Sequence, residues 1–77
     1  MSDLNSLIIF AHVVDANGFS KAARRLKMPT STVSRRVAEL EQALGVRLIE
    51  RSTRSLRLTD VGSEVLEYAH QIGRAHV

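Results

Sequence analysis

The chain has 77 residues and a mass of 8.5 kDa, with 11 Lys and Arg against 8 Asp and Glu. That length holds one small domain with a marginal core, and it leaves little room for an elaborate active site. The absence of cysteine excludes disulfides, thiolate metal sites and a Cys nucleophile, and it fits a reducing compartment. The hydrophobic fraction, 44 %, is that of a folded domain. No apolar run approaches the roughly 18 residues of a membrane span. The opening MSDLNSL carries an acid and no basic segment, unlike a secretory signal. The net charge of +3 is unevenly spread: residues 1–19 carry −2, residues 20–57 carry +7 and residues 58–77 carry −2. A central basic block is a footprint for a polyanion; its bland alternative is a solvated mixed-charge surface.

Asp3 is placed to cap a first helix. Leu4, Leu7, Ile8, Ala11 and Val14 recur at helical spacing after it, and Ile9, Phe10 and Val13 widen the stripe almost all round. Such a helix must be buried on most faces, so the sequence predicts its own core on one side and a partner on the other. Asn17-Gly18 ends it. Ser20 is the expected N-cap of a second, short helix, with Phe19 as a hydrophobic staple. There Ala22, Ala23 and Leu26 face inward, and Lys21, Arg24, Arg25 and Lys27 face outward. Met28-Pro29 stops it, because the residue before proline avoids the helical region. A third helix begins at Thr30 or Ser31, with the inward stripe Val33, Val37, Leu40 and Leu44 and a Gly45 C-cap.

Val46 to Thr59 changes character. Leu48-Ile49 and Leu56-Arg57-Leu58 are short, partly alternating runs around the polar, basic Arg51-Ser52-Thr53-Arg54-Ser55, which reads as a hairpin with a basic tip. Thr59 caps a fourth helix with Asp60 in its first turn and an apolar stripe of Val65, Leu66, Ala69 and Ile72. The expected fold is therefore mainly α: a winged helix-turn-helix with a three-helix core, a short β-hairpin wing and a C-terminal helix. A helix held proud of such a core fits the major groove of B-DNA.

The segments FSKAARRL, TVSRRVAELEQALGVRLIER and LTDVG resemble the N-terminal DNA-binding domain of LysR-type transcriptional regulators, over residues 4 to about 71. The resemblance implies sequence-specific binding of double-stranded DNA, with the recognition helix in the major groove and a basic wing on the backbone or minor groove. It places the DNA contacts of the recognition helix at Thr30, Ser31, Thr32, Ser34 and Arg35, with Arg36 beside them. Arg35 suits a base contact, because a guanidinium matches the O6/N7 edge of guanine; an intrahelical pair with Glu39 is the competing use. Ser20 and Lys21 open the second helix, where amides and a cation hold a phosphate. Arg51, Ser52, Thr53 and Arg54 match the wing. Arg54 is the expected groove or backbone contact, and Arg51 has Glu41 as an alternative partner. The chain departs from the family at the turn. Pro29 stands where a Ser usually caps, leaving Thr30 to cap one residue later, and Thr30 stands where a Gln usually reads a base.

The resemblance also implies residues 1–59 as the DNA-binding domain and residues 60–77 as the start of a linker helix. That helix would pair with a second copy through Val65, Leu66, Ala69 and Ile72. The family's effector-binding domain, and with it any small-molecule effector, lies outside this chain. The expected protein is a cytoplasmic, homodimeric regulator fragment with no enzymatic activity, cofactor or metal. His12, His70 and His76 lack metal-ligand spacing, and Tyr68 is expected to pack. Ile72-Gly73-Arg74-Ala75-His76-Val77 is expected to be non-native. Gly73 would interrupt a helix that the family keeps continuous, and these residues, if encoded ATC GGA AGA GCA CAC GTC, would match a common sequencing-adapter oligonucleotide. A winged helix that binds protein is the main alternative. An RNA-binding module is a weaker one, since Phe10 and Phe19 sit at core positions and leave little to stack on bases.

Overall fold

The computed structural model describes residues 4–50 and 56–75. Four helices and one hairpin follow in order: α1 Leu4–Ala16, α2 Phe19–Leu26, α3 Thr30–Leu44, β1 Ile49–Glu50, β2 Arg57–Leu58 and α4 Asp60–Ala75. The strands are antiparallel, with Ile49 opposite Leu58 and Glu50 opposite Arg57.

The core is built on α1, which packs against α2, α3 and α4. Phe10, Val13, Ala22, Val33 and Val37 are fully buried, and Leu48 and Ile49 close the same cluster from the root of the hairpin. The broad stripe of α1 is satisfied differently from expectation. Much of its second side is covered by α4 of the same chain, not by a partner: Val65 and Leu66 pack against the core and Ala69 is buried. Leu4 stays exposed at the start of α1.

The helix ends follow backbone chemistry. Asn17 takes the left-handed conformation (φ 59°), and the Gly18 N–H donates to the Val13 carbonyl at 3.1 Å. Gly18 is also the N-cap of α2, so Ser20 lies inside the first turn and does not cap as expected. Lys27 (φ 57°) ends α2, ahead of the half-buried Met28. Pro29 is the N-cap of α3 and has no side-chain hydrogen bond to give. Its carbonyl accepts instead from the N–H groups of Thr32 at 3.0 Å and Val33 at 3.2 Å, so Thr30 is already helical. Gly45 closes α3 at φ 72°, where a side chain would be strained. Helix α4 runs through Gly73 to Ala75 without the expected interruption. One interior glycine costs about 1 kcal/mol relative to alanine, which is too little to end a helix by itself.

Candidate nucleic-acid interface

Helix α3 turns its apolar stripe inward. Val33, Val37 and Leu40 are buried, which leaves the opposite face open, whereas Leu44, expected to extend the inward stripe, lies in the last turn and is 43 % exposed. Thr30, Ser31 and Arg35 are exposed there, and Thr32, Ser34 and Arg36 are half-buried at its edges. Helix geometry leaves the N–H groups of Thr30 and Ser31 without an intrahelical acceptor. Ser20, Lys21, Arg24 and Arg25 of α2, with Lys27 at its end, are all exposed on the neighbouring element. The helix-turn-helix thus brings hydroxyls, unpaired amides and cations onto one surface. Arg35 is not free on it: its Nη1 lies 3.2 Å from Oε2 of Glu39, one turn further on, and both side chains are at least half exposed.

The root of the hairpin is held from two sides. The Glu41 carboxylate is buried and accepts from the N–H groups of Leu48 at 2.9 Å and Ile49 at 3.2 Å. Thr59 caps α4 as expected, its hydroxyl accepting from the Gly62 N–H at 2.9 Å. The same hydroxyl donates to the Arg47 carbonyl at 2.6 Å, and the Thr59 N–H donates to the Leu48 carbonyl at 3.0 Å. Residues 47–49 are therefore tied both to the last turns of α3 and to the start of α4. The expected wing contacts Arg51, Ser52, Thr53 and Arg54 lie outside the described residues, and so does any pair between Arg51 and Glu41.

On α4, Val65, Leu66 and Ile72 are half-buried and Ala69 is buried within its own chain. Tyr68, expected to pack, is 58 % exposed instead. Its position places it on the outer face, along with Val61. His70 Nε2 lies 3.3 Å from Asp15 Oδ2, linking α4 to α1. Sequence reasoning missed this pair and the role of Glu41. The only signal for Glu41 was an acid beside the buried Leu40 on a helix with an inward apolar stripe. No helix among the described residues is long and apolar enough to cross a membrane.

Comparison with known proteins supplies the family. The sequence profile of the bacterial regulatory helix-turn-helix proteins of the lysR family matches residues 4–63. An HTH-type transcriptional regulator of Xanthomonas campestris is 46 % identical over 72 residues, covering 94 % of this chain and 21 % of the relative. An HTH-type transcriptional repressor of Pseudomonas aeruginosa is 49 % identical over 63 residues, covering 82 % of this chain and 20 % of the relative. The chain thus spans about a fifth of the length of these curated relatives. Among solved structures, the BenM DBD/catB site 1 DNA complex superposes with a TM-score of 0.91 at 33 % identity, over 95 % of this chain and 81 % of that one. Oxidized OxyR of Corynebacterium glutamicum superposes with a TM-score of 0.89 at 33 % identity, over 99 % of this chain and 25 % of that one. The architecture is therefore a winged helix-turn-helix, and the chain belongs to the lysR family of bacterial regulatory helix-turn-helix proteins.

Proposed function

We propose that the chain is the sequence-reading module of a transcriptional regulator and binds duplex DNA. The observation that carries this is the open face of α3, where Thr30, Ser31 and Arg35 stand exposed over a buried stripe and beside the cations of α2. A DNA complex among the structures it resembles supports the same reading. Helix α3 enters the major groove with its first two turns on the base edges. Arg35 reads guanine, and Thr32 and Ser34 serve bases or phosphates. Ser20, Lys21 and the amides opening α3 hold phosphates and set the register. The basic segment between β1 and β2, with Arg54 foremost, lies on the backbone or minor groove.

The chain divides functionally at residue 59: the DNA-binding unit precedes it, and α4 begins the linker to the rest of a longer regulator. Two copies pair through α4, so two recognition helices meet grooves about one helical turn apart or a multiple of it. Because Ala69 is turned inward and Val65 packs against the core, the pairing stripe is the outer row Val61, Tyr68 and Ile72, at helical spacing i, i+7, i+11.

A titration of duplex DNA at several salt concentrations tests the proposal. The expected result is tight, salt-dependent binding to a duplex selected from a random pool. Arg35→Ala should weaken it by about 1–3 kcal/mol and relax its specificity. Arg54→Ala should weaken binding to all sequences alike and lower the salt slope by about one. Binding that ignores salt, or an Arg35→Ala variant equal to wild type, would overturn the reading.

A further inference from the structure

We infer that Glu39 is a specificity-determining residue: its carboxylate holds Arg35 along the helix and competes with the base edge for it, which limits the discrimination Arg35 delivers. The inference rests on the DNA-binding reading above and deepens it. Glu39 differs from the other acids of the basic block. Glu41 is buried on the hairpin amides and Glu50 belongs to β1, so Glu39 is the one exposed acid on α3. It follows Ser31 and Arg35 at i, i+4, i+8 on the outer face, within the surface that would meet DNA.

The 3.2 Å pair is built to be released. Both partners are solvated, and the basic residue precedes the acid, the less favourable order against the helix dipole. An exposed pair of this kind shifts an equilibrium about twofold. A correct bidentate contact to a base discriminates about 5- to 150-fold, so guanine in the right position wins Arg35 easily. A passing phosphate offers a smaller gain and meets the Glu39 charge as well. On non-cognate DNA Arg35 therefore stays largely on Glu39, whereas a cognate base takes it fully and bears the whole cost of breaking the pair.

The test uses the whole chain, a duplex selected by wild type from a random pool and a scrambled duplex of the same composition. Wild type, Glu39→Gln, Arg35→Ala and the double variant are titrated at several salt concentrations. Glu39→Gln should bind the selected duplex about threefold tighter, because Arg35 no longer gives up a carboxylate to read its base. The scrambled duplex should gain less, so the ratio of the two affinities rises. In the Arg35→Ala background, Glu39→Gln should leave that ratio unchanged. Equal tightening on both duplexes, which is plain charge repulsion, would overturn the inference while leaving DNA binding intact. A ratio that still rises without Arg35 would overturn it too. Wild type that binds neither duplex in a salt-dependent way would remove the underlying reading first.

Discussion

At the scale of single residues, the polar groups with the largest structural consequence are the ones turned away from solvent. Glu41 Oε2 serves two buried backbone N–H groups, at 2.9 and 3.2 Å, which β-pairing does not reach at the root of so short a hairpin. Glu41→Leu leaves both donors without this acceptor and should cost about 2–3 kcal/mol of stability in urea denaturation. Glu41→Gln keeps a carbonyl oxygen in place and should cost about 1 kcal/mol. Equal losses for the two variants would mean that packing of the side chain, not the accepted hydrogen bonds, sets the cost. The His70–Asp15 pair is different in kind, being partly solvated on both sides. Asp15→Asn should change stability by no more than about 0.5 kcal/mol in the same measurement. Neither pairing was legible in the sequence. Glu41 meets partners seven and eight residues away across a turn, and Asp15 meets His70 fifty-five residues on. Periodicity finds the faces of helices, and it is silent on which polar groups two faces bring together.

At the scale of elements, apolar spacing was sufficient for α1, α3 and α4, because each buries a stripe at the helical period. It misled where backbone groups do what side chains usually do. Ser20 has the chemistry of an N-cap, yet the chain turns at Asn17 and Gly18 and α2 starts at Phe19. Thr59 has the same chemistry and does cap, because the next three residues bring the Gly62 N–H to its hydroxyl. Gly62 also explains how α4 seats on the hairpin. A Cβ at this position would overlap the carbonyl of Leu48, whose neighbours are fixed by Glu41 and Thr59. Inside a helix, glycine to alanine ordinarily stabilises by about 0.5–1 kcal/mol. Gly62→Ala should instead destabilise by about 1–3 kcal/mol, as overpacking against fixed backbone does. Gly18→Ser is the contrast: nothing lies within 4 Å of a Cβ there, and an added hydroxyl can cap α2. It should be neutral or stabilising by about 0.3 kcal/mol. Thermal denaturation of the two variants checks both signs.

At the scale of the whole molecule, the charge segregation along the sequence becomes a segregation in space. The cations of α2 and α3 share one surface, while Asp60, Glu64 and Glu67 are exposed on α4. The two proposed associations then respond to salt in opposite directions. DNA binding releases counterions, so it weakens as salt rises. Pairing through the outer face of α4 gathers Glu64 and Glu67 of two copies around Val61 and Tyr68, so it begins against like-charge repulsion. Salt screens that repulsion over a Debye length of about 10 Å at 0.1 M, and self-association should strengthen as salt rises. Tyr68, at 58 % exposure, is the largest apolar surface such a pair would cover. Burying a side chain of that size contributes about 1.5–3 kcal/mol, so Tyr68→Glu should raise the dimer dissociation constant by at least about tenfold. The same variant should leave monomer unfolding nearly unchanged, because Tyr68 lies outside the core. Sedimentation equilibrium at low and high salt reads both effects. Self-association that weakens with salt, or that survives Tyr68→Glu undiminished, would place the pairing surface elsewhere than the outer face of α4.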